Sequence, residues 1–177
     1  VSTRIKTTNG KLLDFQEKFV ELKSEPKISE VIYLESEKAD TTKEVSNALD
    51  QADKIVVGPS NPILSIGPIL AIQNLKEKLT NSSSTYVVSP FIENKAIKGP
   101  SKKNFEDLGY KSDITGIKEF YNNIGNYYIV QSGDTDKAEN TIEKNILFKS
   151  TEDSTNLARY IVDPVSYTHL TLPTICS

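Results

Sequence analysis

The sequence predicts an α/β fold built on a mostly parallel sheet with flanking helices, and three observations carry that prediction. Short apolar runs rich in β-branched and aromatic residues (KIVV, TYVV, YYIV) have the composition of strands buried on both faces. Between them lie stretches of about ten residues with apolar side chains at helical spacing, the alternation of a parallel sheet with crossover helices. Glycine–proline pairs punctuate the switches, at Gly58-Pro59, Gly67-Pro68 and Gly99-Pro100.

Taken in order, residues 3–7 (TRIKT) read as a short strand and Asn9-Gly10 as a turn. Leu12, Phe15, Phe19 and Leu22 fall at helical spacing and predict a helix over 12–22, stopped by Pro26. Residues 28–34 form a strand, 42–50 a helix with Val45, Ala48 and Leu49 on one face, and 54–57 a buried strand. Ile69, Ile72, Leu75 and Leu79 predict a helix within 65–79, with Pro68 in its first turn, where the missing N–H costs nothing. A strand over 85–88 follows, then a helix from Pro100 to a C-cap at Gly109. The remaining expectations are a helix over 115–121, a strand over 127–130, a helix over 134–143, a strand over 145–148 and a helix over 154–161.

The two ends stand apart from this pattern. Residue 1 is Val and the chain contains no Met, which predicts that a segment precedes it. From Ser166 the chain reads SYTHLTLPTICS, with no charged residue and with the only His (His169) and only Cys (Cys176). Residues 166–177 therefore read as a non-native, adaptor- or vector-derived tail, and residues 1–165 as the C-terminal part of a larger domain.

The body then has no His, Cys, Met or Trp. Thiol chemistry, disulfides, Cys/His zinc sites and imidazole catalysis are excluded from it. A net charge of −3, with no basic block, argues against a nucleic-acid partner. No run of 18 apolar residues occurs, so no spanning helix is expected, and the Cys-free body fits a cytoplasmic protein.

In open α/β sheets ligands sit beyond the carboxyl ends of the strands. Three segments hold that position: Gly58-Pro59-Ser60-Asn61-Pro62 after KIVV, Ser89-Pro90 after TYVV, and Lys98-Gly99-Pro100. Gly58 admits a close backbone approach, Ser60 and Asn61 offer short donors, and the helix entry at Ser65 to Pro68 offers N–H groups and a positive dipole end. Lys98 would add a charged donor. Such a set suits a phosphate, although each piece also serves as an ordinary rigid turn, helix cap or surface lysine. Asp50, Asp53, Asp107, Asp113, Asp134 and Asp136 read as solvated carboxylates.

The strings DKIVVGPSNPILSIGPILAI and VVSPFIENKAIKGPSKKNFEDLG, with RIKTTNGKLLDFQEKFV before them and GIKEFYNNIGNYYIV after, resemble the 2-phospho-L-lactate transferase family of deazaflavin coenzyme biosynthesis. The resemblance implies a Rossmann-like core. It also implies transfer of a 2-phospholactyl or phosphoenolpyruvyl group from a guanosine-diphosphate-linked donor to a deazaflavin hydroxyl, with release of GMP, a requirement for Mg2+ and a homodimer. Gly58, Ser60, Asn61 and Pro62 match the family's loop near the donor diphosphate, Ser65 and Gly67 the adjoining helix entry, and Ser89, Lys98 and Gly99 family strings of unassigned role. Metal and catalytic residues are expected upstream, so none is named here. Sugar-nucleotide-binding regulators of the wider superfamily share the core and form the alternative.

Overall fold

The computed structural model describes residues 1–15, 27–92, 95–96, 101–134 and 139–163. The predicted Pro26 stop, Lys98, Gly99, Pro100 and Asp136, and the string from Ser166, lie outside these residues.

A small antiparallel sheet opens the chain. β1 (Ser2–Thr7) and β2 (Leu12–Asp14) form a hairpin, with Ile5 opposite Leu13. Asn9-Gly10 is its tight turn: Gly10 has φ +82°, and its N–H bonds to the Thr7 carbonyl at 2.9 Å. That turn overrides the helical spacing expected over 12–22, because it returns Leu12 to Asp14 onto β1. The rest of that expected helix, 16–22, lies outside the described residues. Arg4 and Asp14 close the hairpin with a half-exposed ion pair at 2.8 Å. β3 (Ile28–Leu34) pairs antiparallel with the other side of β1, giving the order β2-β1-β3.

The second sheet is parallel, as the sequence predicts, and three of its four strands lie where expected. β4 (Ile55–Val57), β5 (Thr85–Val88), β8 (Tyr127–Gln131) and β9 (Thr141–Lys144) lie side by side in that order, all parallel. Helix α1 (Lys43–Gln51) leads into β4, its N-cap Thr42 accepting from Val45 N–H. Between β4 and β5 come α2 (Gly67–Leu70) and α3 (Gln73–Asn81). Between β5 and β8 come the two-residue strands β6 (Phe91–Ile92) and β7 (Lys95–Ala96), then α4 (Ser101–Asp107) and α5 (Ile114–Phe120). Helix α6 (Thr151–Val162) closes the chain's described part.

The parallel strands have core on both faces, as parallel sheets require. On one, Val57, Val87, Tyr128 and Val130 pack with Leu79, Phe105, Ile114 and Ile117 of α3 to α5. On the other, Tyr86, Val88 and Ile129 pack with Leu157 and Ile161 of α6. Each fully buried Ile or Phe here contributes roughly 1.5–3 kcal/mol relative to exposure. The arrangement is Rossmann-like, with helices on both sides of the sheet.

Three expected elements differ. The helix over 65–79 is two helices, because Ile72 is extended (ψ 109°) and caps α3. Of the helix expected over 134–143, residues 135–138 lie outside the described residues and 141–143 belong to β9: Asn140, with φ +61°, turns the chain, and Thr141-Ile142 then join the ladder. The strand over 145–148 is a loop, since the Gln131 side-chain oxygen takes the N–H groups of Ile146 and Leu147 at 3.0 and 3.1 Å. Two carboxylates expected in solvent hold the fold instead. Asp107 accepts from Ile28 N–H at 2.9 Å, and Asp113 caps α5 through Gly116 N–H at 2.9 Å. Asp50 pairs with Lys78. Among the described residues no helix is long and apolar enough to cross a membrane.

Candidate functional site

The site is the loop that leaves the carboxyl end of β4. Gly58, Pro59 and Ser60 are exposed, and Ser60 N–H bonds to the Gly58 carbonyl at 2.8 Å, a tight local turn. Asn61 is the pivot. Its Oδ1 accepts from Ile63 N–H at 3.0 Å and Leu64 N–H at 3.1 Å. Its main-chain carbonyl takes Ser65 N–H and Ile66 N–H at 2.9 and 3.1 Å. The i to i+5 bond from Ile66 makes residues Pro62–Ile66 a π-helical turn, a form frequent at functional sites.

The helix entry therefore lies earlier than the sequence suggests. Pro62, not Pro68, occupies the first helical position, and Asn61 is the cap. The N–H groups of Ile63 and Leu64 are already taken by Asn61, and Gly67 N–H goes to the Pro62 carbonyl. Of the N–H groups at this entry, those of Ile63, Leu64, Ser65, Ile66 and Gly67 are already paired. What faces outward is the Ser60 hydroxyl and the Asn61 Nδ2 amide, neither hydrogen-bonded among the described residues. No ionisable side chain occurs from Gly58 to Pro68, so a phosphate here would meet neutral donors.

The other expected residues distribute as follows. Pro62 is buried and Ser65 is exposed on the same turn. Gly67 is buried beneath Tyr33, whose hydroxyl would overlap any Cβ placed there. Ser89 follows β5, but it is 2% exposed. Its hydroxyl is occupied by Phe91, donating to the carbonyl at 3.0 Å and accepting from the N–H at 3.1 Å. Ser89 N–H extends the sheet by bonding to the Ile129 carbonyl at 2.8 Å.

Sequence reasoning missed two contributors. Tyr33 reaches from β3 to the Ile63 carbonyl at 2.7 Å, and burial pushes its phenol well above the ordinary value. An apolar cavity of about 320 Å³ also adjoins the loop, lined by Gly58, Pro59, Val88, Phe148, Leu157 and Ala158. The helical spacing of Leu157 and Ile161 carried part of that signal, whereas Phe148 had been placed in a strand. Among the described residues no group of three or more His, Cys, Asp or Glu is arranged to hold a metal ion.

The chain is similar throughout its globular part to known proteins. The family model described as 2-phospho-L-lactate transferase CofD matches residues 1–165. Over 156 residues the chain is 33% identical to the 2-phospho-L-lactate transferase of Methanocaldococcus jannaschii, covering 86% of this chain and 50% of that protein. It is 36% identical over 157 residues to the enzyme of the same name from Methanococcus vannielii, with the same coverage of each chain. With that of Methanopyrus kandleri it shares 30% over 168 residues, 92% of this chain and 54% of the other. The chain thus spans about half the length of the curated relatives it matches. A collinear match across the α/β core, the candidate loop included, makes this chain a member of the 2-phospho-L-lactate transferase family.

Proposed function

We propose that this chain supplies the donor side of a 2-phospho-L-lactate transferase. The observation that carries the reading is the loop after β4, where Gly58 to Ser60 are exposed at the carboxyl end of a parallel strand and the Ser60 hydroxyl and Asn61 Nδ2 amide have no hydrogen-bond partner among the described residues. A guanosine-diphosphate-linked donor presents diphosphate oxygens that accept such bonds. Gly58, without a side chain, allows the backbone to close on them. Lys98 and Gly99, matched in the family strings and outside the described residues, are assigned to the donor on sequence alone, Lys98 as a charged donor; Ser65 and Pro62 belong to the turn that follows the loop.

In this reaction the deazaflavin hydroxyl oxygen attacks the phosphorus that bears the lactyl or enolpyruvyl ester. A phosphorus–oxygen bond forms there, the bond to GMP breaks, and the hydroxyl proton passes to a base. Catalysis rests on positioning and on donors aimed at the diphosphate oxygens. The described residues do not form a magnesium ligand set, so no step is assigned to Mg2+, which the resemblance implies. The reading is of a protein acting in the cytoplasm on small molecules, as a homodimer.

Calorimetry with GDP, ADP and a uridine-diphosphate sugar tests the assignment. Selective GDP binding is expected. Ser60→Ala, and Asn61→Asp, which keeps the Oδ1 cap but loses the Nδ2 donor, should each weaken GDP about tenfold or more. Unchanged affinity in both variants would refute the loop's role, and preference for the uridine sugar would point to the regulator branch of the superfamily.

A further inference from the structure

The π-helical turn beneath the donor loop has an electrostatic debt that its own sequence cannot settle. The Ile63 carbonyl belongs to a residue that is 0% exposed. In the i to i+5 pattern set by Asn61 to Ile66 and Pro62 to Gly67, its donor would be residue 68. Residue 68 is proline and has no N–H. The α-helical alternative, Gly67 N–H, is bonded to Pro62. A buried carbonyl without a partner destabilises the conformation that buries it.

The missing donor comes from the antiparallel sheet at the start of the chain. Tyr33 on β3 extends its hydroxyl to the Ile63 carbonyl at 2.7 Å, across thirty positions of sequence. The neighbouring residue leaves room for it: a Cβ on Gly67 would overlap the Tyr33 hydroxyl and stand 2.7 Å from its Cζ. Tyr33, Gly67 and Pro68 are therefore one device, with the proline removing a donor, the glycine opening a space and the tyrosine filling both.

We propose that Tyr33 is a positioning residue for the donor loop, its hydroxyl standing in for the amide that Pro68 lacks and thereby holding the π-helical turn that orients Asn61 and Ser60. This deepens, and rests on, the reading that the Gly58–Pro62 loop binds the donor diphosphate. The link is short. Asn61 binds the turn through both its side-chain and main-chain oxygens, so a turn that rewinds to α-helical register moves the Asn61 Nδ2 amide with it. Burial keeps the phenol protonated through the neutral range, so the donor is always present.

The test uses Tyr33→Phe, Pro68→Ala and the double variant in the protein at the full length of its family. Amide exchange at Ser65, Ile66 and Gly67 reports the turn, and calorimetry with GDP reports the loop. In Tyr33→Phe the exchange should accelerate about tenfold and the GDP dissociation constant rise by a similar factor. Pro68→Ala restores an N–H within reach of Ile63, so the double variant should recover both; a tyrosine needed only for packing would show no such rescue. Unchanged exchange in Tyr33→Phe, or no recovery in the double variant, overturns the proposal. Should Tyr33→Phe fail to fold, refolding on addition of Pro68→Ala supports it and continued failure overturns it. If the unaltered protein does not bind GDP while the exchange pattern and its rescue hold, the donor-loop reading fails and the part of Tyr33 in the turn stands.

Discussion

At the scale of single residues, this site is shaped more by what side chains lack than by what they carry. Gly67 is buried, and the space its missing side chain leaves is filled by the Tyr33 hydroxyl. Gly67→Ala places a methyl group where the Tyr33 hydroxyl lies, so either the ring or the π-helical turn must move. Overpacking of this kind costs about 1–3 kcal/mol. A urea melt of Gly67→Ala against the unaltered chain checks it, and a loss below about 0.5 kcal/mol would mean that the ring has free space to retreat. The same residue shows what was legible: the sequence placed Gly67 at the helix entry beside the ligand loop, but the constraint on it comes from Tyr33 of β3, which no local pattern relates to it.

At the scale of elements, α6 shows how local chemistry fixes a boundary that periodicity places only loosely. Ser150 and Asp153 form a reciprocal cap: Asp153 N–H bonds to Ser150 Oγ at 3.3 Å, and the Asp153 carboxylate accepts from Lys149 N–H at 2.8 Å and Ser150 N–H at 3.0 Å. The Lys149 N–H above all, then the N–H and hydroxyl of Ser150 and the Asn145 amide, hold the Asp153 carboxyl below its ordinary value of 3.8. A depressed carboxyl stabilises the fold at pH above 3.8, and that contribution disappears as pH falls through the folded-state value beneath it. Helix α6 should thus loosen at its N-terminus in acid before the sheet does, seen as faster amide exchange at 150–154. Asp153→Asn should remove this acid step. Ser150→Ala should cost about 1 kcal/mol at neutral pH; an acid profile of exchange that is the same with and without Asp153 would contradict the assignment.

At the scale of the whole molecule, tyrosines tie β3 and the parallel-sheet core together, with Tyr33 and Tyr128 both close to Tyr121. Tyr33 of β3 meets the π-helical turn, Tyr121 ends α5 with 1% exposure, and Tyr128 lies within β8 with its hydroxyl accepting from Gly125 N–H at 3.2 Å. Burial pushes all three phenols above their ordinary value of 10.0, and for Tyr121 the proximity of Tyr33 and Tyr128 adds to it. Raised phenols stabilise the fold fully below pH 10.0, and the contribution is lost as pH rises above it through the folded-state values. Alkaline titration should therefore show tyrosinate absorbance of these residues appearing together with the loss of far-ultraviolet circular dichroism, not before it. Complete ionisation of all the tyrosines with the dichroism intact would show that the three rings are not locked in the core.

The parallel strands β4, β5 and β8 and the loop after β4 were determined by the sequence itself, because doubly buried strands demand continuous apolar runs and their ends demand glycine and proline; β9 and the split between α2 and α3 were not. The hairpin at the start was also written there, in Asn9-Gly10, but the helical spacing of Leu12, Phe15 and Phe19 competed with it, and only pairing with β1 decided Leu12 to Asp14. The family followed from motif strings, independent of geometry. Tertiary structure alone decided which groups of those motifs remain free. Asn61 has spent its oxygens on the turn and keeps its amide, Ser89 has spent its hydroxyl on Phe91, and Gly67 serves Tyr33. Hydrogen-bond partners are fixed by distance in space, and a sequence records only distance along the chain.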